Sequence, residues 1–359
     1  MTVLGPIGPD QIGLTMMHEH VFIDLVDTTF LPPQEASLRR YEFEKVDISF
    51  LWLLRRRPMS LCCDNARLSD ESMAIHELEQ FAREGGSTIV DCTMPGIGRD
   101  PRAVMRVARA TGLNIVQGTG AYVEWAHPEW VESESIDQLA ARFAREVTHG
   151  IDETGVRAGI IGEIGTSGVA RGSRAKVGDF TPAEEKVLRA AGRASVATGA
   201  AVSVHLDPRG KGAFAVCDVL AEEGVPTDRI VMCHMDAHPD LDYHLAIAER
   251  GVYVEYDHFG REYYSAHMNR SYTSDTRRIE LLAAMLEAGF ESRLLLSQDV
   301  CLKIDLRSYG GVGYAHIVGE LLPDFRRAGI TELQIALMLT ENPRRVLTLG
   351  ARSDFKSQT

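Results

Sequence analysis

The sequence predicts an α/β protein: a single (β/α)8 TIM barrel built from all 359 residues, with an insertion after its first strand. Three observations carry that expectation. Eight short, β-branched runs alternate with amphipathic stretches along the chain. Each run is almost continuously apolar, as parallel strands covered on both faces are. The length also suits one closed barrel, which spans roughly 200 to over 400 residues. A doubly wound open sheet is the competing architecture, but it calls for a Gly-rich phosphate loop after the first strand, and none is there.

Taken in order, the first run is LTMMHEHVFI (14–23). The segment 24–69 behind it is an insertion with its own apolar stretch, ISFLWLL, which suits a lid, an interface piece or extra core alike. Next come the helical pattern ESMAIHELEQFAREG and the runs STIVDC (87–92), LNIVQGTGAY (113–122) and RAGIIGEIG (157–165). The pattern AEEKVLRAAGRASVATG leads into AAVSVHL (200–206), followed by RIVMCHM (229–235) and GVYVEYD (251–257). Finally TRRIELLAAMLEAG precedes RLLLSQD (293–299). Several helical patterns end in Gly, a common C-terminal cap, and TPAEE opens one with a capping Thr followed by Pro. No repeat, low-complexity segment or linker divides the chain, so 1–359 reads as one unit.

Composition narrows the function. Hydrophobic residues make up 45% and charged residues 25%, ordinary for a globular protein with a sizeable core. The formal net charge is −13 with no basic block, which argues against a nucleic-acid partner. No apolar run approaches the roughly 18 residues of a membrane span, and MTVLGPIGPDQIGLTMM lacks the pattern of a secretory signal. Six irregularly spaced cysteines do not make a disulfide framework, and a reducing cytoplasm is expected. Cys62 and Cys63 read as small buried apolar residues. The expected partner is a small-molecule substrate, with association as a homodimer left open.

The strand ends hold the chemistry. His18 and His20 close the first run as H-E-H, and residues two apart on a strand face the same side. Glu163 closes the fourth run, His205 the fifth, His234 the sixth and Asp299 the eighth. In a barrel these ends converge on one face. Four imidazoles and two carboxylates exceed what one tetrahedral zinc takes; two divalent ions with a bridging group would use them all. Taken singly, each residue has a bland reading, because a lone His at a strand end is usually structural and acids there often cap the next helix. Jointly they are harder to dismiss, since unpaired charged groups are rarely buried. His258 follows strand seven directly and is placed to reach the mouth. His76, His149, His244 and His316 sit in helical patterns, and His127, His238 and His267 in loops; most of these are expected to be solvated.

These residues and their surroundings resemble the phosphotriesterase family of the amidohydrolase superfamily. The resemblance rests on TVLGPI with GLTMMHEH, AGII before Glu163, VSVH at His205, RIVMCH at His234, LLSQD at Asp299 and the closing ENPRRVL. It covers the chain apart from 24–69. EYDHFG (255–260) and YGGVGYAH (309–316) are similar to its phosphotriesterase-related, or resiniferatoxin-binding-like, branch. The resemblance implies that His18, His20 and Asp299 hold one zinc, that His205 and His234 hold the other, and that a carboxylate bridges them. In much of the family the bridge is a carbamylated Lys; here the run reads GIIGE, and Glu163 stands one place further on. Tyr122 matches a pocket-lining Tyr of lactonase-like members. His258 matches a His that relays protons from the aspartate, although the family's next acid is replaced by Ala237, with Asp236 one place earlier.

Asp299 is the expected general base for hydrolysis by a metal-bridging hydroxide. The loops after strands seven and eight carry Arg261, Lys303 and Arg307 beside tyrosines, and these are the expected contacts to an anionic substrate. A lactone or carboxylic ester is the favoured substrate class, ahead of an N-acyl amide or a phosphotriester. A non-catalytic binding protein is the alternative from another class, but it would not need Asp299, the bridging acid and four histidines together.

Overall fold

In the computed structural model, residues 1–350 are described apart from 171, 174–176, 209, 267 and 268. Eight parallel strands follow one another around a barrel in chain order. They are β1 (Thr15–Glu19), β2 (Thr88–Asp91), β3 (Asn114–Thr119), β4 (Ile160–Thr166), β5 (Val202–Leu206), β6 (Ile230–Met232), β7 (Tyr253–Tyr256) and β8 (Leu294–Leu296). Each is shorter than the run that announced it; His20, His234 and Asp299 lie just past the ends of β1, β6 and β8, whereas Glu163 and His205 lie within β4 and β5. Among the surrounding helices, α1 (Glu71–Arg83) and α2 (Pro101–Thr111) are capped by Asp70 and Asp100, whose side chains accept N–H groups of the first turn. Helix α3 (Pro182–Thr198) opens on the Thr181–Glu184 capping box and ends at left-handed Gly199. Helix α4 (Asp275–Glu287) joins β7 to β8 along the chain.

The apolar residues form two layers. The larger cluster lies between strands and helices and includes Met16, Ile89, Ile161, Val204 and Leu296. A smaller one, with Met17, Val90, Val116, Ile160, Val231 and Leu295, plugs the inside of the barrel, as side chains do in this fold. Where β8 meets β1, side chains close the seam. The Ser297 hydroxyl receives the His18 N–H at 3.0 Å and lies 2.8 Å from the His18 carbonyl, which accepts the Asp299 N–H at 3.1 Å. Glu19 completes the stitch: its carboxylate accepts the Gln298 and Val300 N–H groups, both at 2.8 Å. The middle residue of H-E-H therefore closes the barrel, while its neighbours face the site. Burial raises the Glu19 carboxyl to about 7 despite these donors.

Two of the ladders are irregular. Met16 and Glu19 of β1 face Ile89 and Asp91, and Ile161 and Ile164 of β4 face Val202 and Val204. In each case one strand carries an extra residue, a bulge that re-aims the side chains around it. In β4 the extra residue is next to Glu163. Gly162 there has φ +129°, and a Cβ would meet the Ser203 carbonyl oxygen at 2.1 Å, so no larger residue fits.

The insertion 24–69 packs onto the barrel and shares its core through Phe30, Phe50, Leu54, Leu61 and Cys62. In the stretch ISFLWLL, Phe50 and Leu54 point in, whereas Ile48 and Trp52 are 85% and 67% exposed. Polar clasps tie the insertion to the loops after β7 and β8. Lys303 Nζ donates to Asp64 Oδ1 at 2.8 Å, Ile304 N to Asn65 Oδ1 at 3.0 Å, and Ala266 N to the Arg56 carbonyl at 2.8 Å. No helix among the described residues is long and apolar enough to cross a membrane. Lys303 thus serves the insertion rather than a substrate. Lys303→Met should lower Tm by about 1–3 °C, the loss of roughly one charged hydrogen bond, and speed proteolysis within 24–69. kcat/KM should stay within about threefold; a raised KM with unchanged protease resistance would restore Lys303 as a substrate contact.

Candidate metal centre

All six residues expected as metal ligands meet at the C-terminal end of the barrel. Glu163 Oε1 lies 2.5 Å from His205 Nδ1, 3.3 Å from His234 Nε2 and 3.6 Å from His18 Nε2. Its other oxygen, Oε2, lies 3.9 Å from His20 Nε2. Asp299 Oδ1 stands 3.3 Å from His20 Nε2 and 3.9 Å from His18 Nε2. All are buried except His205, which is partly exposed. Glu163 therefore sits between two sets: His18, His20 and Asp299 on one side, His205 and His234 on the other. The bulge in β4 includes Gly162, the residue before Glu163.

The protonation pattern fits cations. His20 Nδ1 donates to Thr93 Oγ1 at 2.9 Å, because the Thr93 hydroxyl itself donates to the Phe22 carbonyl at 2.8 Å; Nε2 faces Asp299 Oδ1 at 3.3 Å. His234 Nδ1 faces Asp257 Oδ1 at 2.9 Å, and its Nε2 lies 3.3 Å from Glu163 Oε1 and 2.8 Å from His205 Nδ1. Both ring nitrogens of His18 are buried without a hydrogen-bond partner. Buried nitrogens without donors, gathered with two carboxylates, make an imidazole–carboxylate set of the kind zinc takes. The triads His18–His20–Asp299 and His18–Glu163–His234 each have ligand atoms within 4.8 Å of one another.

Charge is arranged to keep the carboxylates ionised. Burial opposes ionisation of Glu163, but His205 and His18 outweigh it and hold the carboxyl well below its usual range. Asp299 is likewise pushed up by burial and held well down by Arg261, with hydrogen bonds to His20 and His258 adding to this. Behind the ligands lie two acids on β7 and its end, Glu255 and Asp257, both fully buried. Asp257 accepts the His234 backbone N–H at 3.0 Å and lies 3.5 Å from His18 Nδ1. Burial and the neighbouring Asp257 raise Glu255 to about 8. Asp257 goes the other way, to about 2, because His234 and His18 overcome its burial. Sequence reasoning passed over this pair, although its spacing in YVEYD is the same two-residue alternation that marked His18 and His20.

His234 and Asp299 adopt left-handed backbone, with φ +59° and +51°. For residues with side chains this costs on the order of 1 kcal/mol or more and persists only where the surroundings impose it. Here the imposing bonds are the two Asp257 oxygens on His234 N and the His18 carbonyl on Asp299 N.

The residues expected around the metals separate into two groups. Tyr122 Oη reaches to 3.5 Å from His205 Nδ1, and burial, then the Glu163 and Asp299 charges, raise the phenol well above its usual value. His258 stacks on His234 with ring centroids 4.7 Å apart, its Nε2 3.4 Å from Asp299 Oδ2. Asp236 Oδ1 stands 3.9 Å from His258 Nδ1, beyond hydrogen-bond reach, and that nitrogen is buried without a hydrogen-bond partner. Arg278 Nε, fully buried, donates to the other Asp236 oxygen at 2.5 Å.

The expected anion contacts need correction. Arg261 is buried and donates to Asp299 Oδ2 at 2.9 Å, with Nη2 3.5 Å from Asp305 Oδ2, so it serves the site's own acids. Lys303 is held by Asp64, as above. Arg307 turns to the Val312 carbonyl at 2.9 Å and Gln80 Oε1 at 3.2 Å, away from the metal ligands. Among the histidines expected to be solvated, His244 is fully buried, with Nε2 donating to the Met235 and His238 carbonyls at 2.8 and 2.7 Å. His127 and His316 are also buried, and His267 lies outside the described residues.

A family model described as the phosphotriesterase family matches residues 1–347. The chain belongs to the phosphotriesterase family. An N-acetyltaurine hydrolase of Danio rerio is 34% identical over 354 residues, covering 97% of both chains. The crystal structure of a resiniferatoxin-binding protein from Rhodobacter sphaeroides has a TM-score of 0.92 at 37% identity, covering 97% of this chain and 94% of that one. A lactonase from Listeria monocytogenes has a TM-score of 0.78 at 25% identity, covering 98% of this chain and 99% of that one. This phosphotriesterase-family chain is accordingly a hydrolase, and its buried His, Asp and Glu groups fit a metal centre.

If Asp257 orients His18 and His234, Asp257→Asn should preserve the fold and weaken metal retention about 10–100-fold, the usual scale for such supporting carboxylates. Dialysis against a graded chelator series with metal analysis reads this directly. Unchanged retention would make Asp257 a packing residue.

Proposed function

We propose that the chain is a binuclear zinc hydrolase acting on an N-acyl amide whose amine portion is small and anionic. The observation that carries the binuclear reading is Glu163, whose Oε1 lies within 3.6 Å of His18, His205 and His234 while Oε2 turns to His20. His18, His20 and Asp299 would hold one ion, His205 and His234 the other, with Glu163 shared. When bound, two such ions lower the pKa of a water between them and polarise the scissile carbonyl.

The chain's own groups do the rest. Asp299, kept ionised by Arg261, accepts the proton of the attacking water and orients it. His258, 3.4 Å from Asp299 Oδ2, takes that proton on and returns it to the departing amine, which an amide requires and a lactone alkoxide requires less. Tyr122, a phenol that stays protonated, donates beside His205 to the oxygen that becomes negative in the transition state. The sequence favoured a lactone or carboxylic ester; relatives that match along almost their whole length and are named for an amide substrate move the amide ahead, and the lactonase likeness keeps the ester reading as the second.

As-purified protein should contain about two zinc ions per chain, and one ion or none in protein never exposed to chelator would sink the binuclear reading. Across a panel of N-acyl amino acids, N-acyl aminosulfonates, lactones and aryl phosphotriesters, the anionic amides should give the highest kcat/KM. Leading activity on lactones would return the ester reading. Asp299→Asn should cut turnover by roughly 10² or more with the fold intact.

Glu163 already carries a carboxylate, so apo-protein should reload with metal fully without bicarbonate. Glu163→Gln should lose metal, because an amide cannot offer two anionic oxygens. A bicarbonate requirement in the wild type, or Glu163→Gln with both ions and normal turnover, would move the bridge elsewhere.

A further inference from the structure

With Arg261, Lys303 and Arg307 otherwise engaged, a different cation stands at the mouth. Arg270 lies on a short hairpin after β7, where Arg270–Ser271 pairs antiparallel with Tyr264–Ser265. Its Nη1 donates to the Pro208 carbonyl and its Nη2 to the Ala237 carbonyl. Pro208 follows the metal-ligand candidate His205 by three residues, and Ala237 follows His234 by three. The guanidinium is thereby fixed across the two loops that leave β5 and β6, on the side of the His205–His234 pair. Tyr272, two residues on, meets the His258 ring edge-on at 5.7 Å, which keeps this hairpin beside the reacting groups.

Arg270 is also electrostatically unlike its neighbours. Arg261 pairs with Asp299, Arg278 with Asp236 and Asp275, and Arg307 lies 3.8 Å from Glu320. Among the described residues Arg270 has no carboxylate partner; its two bonds to neutral carbonyls leave three of five N–H donors and the whole charge. Next to it, His238 has a buried Nε2 with no hydrogen-bond partner. Burial lowers the His238 pKa, Arg270 and Lys211 lower it further, and Asp207 opposes them. Lys211 itself is taken up by Asp240. A half-buried guanidinium with no carboxylate partner among the described residues, beside an imidazole nitrogen without a hydrogen-bond partner, is an arrangement that an oxyanion completes.

We propose that Arg270, with His238 as second donor, forms the subsite for the anionic group on the leaving amine. The ligand class is a carboxylate or sulfonate carried a few bonds from the scissile amide nitrogen, as in N-acyl β-amino acids and N-acyl aminoethanesulfonates. The proposal rests on the amide reading for its substrate, but not for its anion.

Two measurements test it on metal-replete enzyme. The first compares N-acetyl-2-aminoethanesulfonate with its neutral counterpart N-acetylethanolamine. Arg270→Gln, which keeps an N–H donor for the loop carbonyls, should lower kcat/KM about 10–100-fold for the sulfonate, chiefly through KM, and less than threefold for the neutral amide. Arg270→Lys should recover part of the loss, because it restores the charge without the fork. Equal losses on both substrates would make Arg270 a strap between loops, and no loss on either would make it a bystander; both outcomes overturn the subsite.

The second measurement is calorimetric binding of ethanesulfonate and propanoate, which needs no turnover. Wild type should bind them about 10-fold or more tightly than Arg270→Gln does. No difference between the two proteins would overturn the subsite whatever the reaction. A wild type that hydrolyses no amide yet shows this difference would overturn the amide reading and keep the subsite.

Discussion

Six ionisable side chains share one buried volume at the top of the barrel, and their mutual charge is the constraint from which the surrounding structure follows. An isolated buried ion costs several kcal/mol in lost hydration, so each must face opposite charge at close range. Glu163 does so by lying among four imidazoles, and Asp299 by accepting Arg261. The imidazoles are in turn backed by groups that fix which nitrogen carries the proton: Thr93 behind His20 and Asp257 behind His234. The ring nitrogens of His205 and His234 face one another at 2.8 Å, with Glu163 Oε1 within 3.3 Å of both.

That convergence also explains the backbone irregularities. Regular strands would aim successive side chains to alternate faces at fixed spacing. Ligands arriving from β1, β4, β5, β6 and β8 need other angles, and the chain obtains them from bulges in β1 and β4 and from left-handed turns at His234 and Asp299. Each device works only where something else holds it. Gly162 must lack a side chain because the Ser203 carbonyl is so close, and Glu19 must stitch the β8 end to β1 because Asp299 leaves the ladder there.

Around the mouth the basic residues are distributed by the same rule. Arg261 and Arg278 neutralise the buried acids Asp299 and Asp236, and Lys303 holds down the insertion. Arg270 keeps its charge at the mouth and ties three loops together there. The positive charge available to a substrate is therefore set by which arginines the site's own carboxylates leave over.

The order of residues determined a good deal by itself. Strand and helix periodicity, the Thr181 cap and the Gly199 stop are local, so the eight-fold alternation and the placement of His18, His20, Glu163, His205, His234 and Asp299 at strand ends could be read directly. H-E-H and YVEYD show the same alternation; only the first was legible as a site, because Glu255 and Asp257 sit in a strand whose apolar neighbours mask them. What tertiary structure decided is which charges meet. Lys303 finds Asp64 across 239 positions of the chain, and Arg261 finds Asp299 across 38, so neither remains for a substrate. Asp236 comes within 3.9 Å of His258 because the turn after left-handed His234 swings it that way. Coulomb energy depends on distance in space and on the loss of surrounding water, and for groups far apart along the chain neither is written in its order.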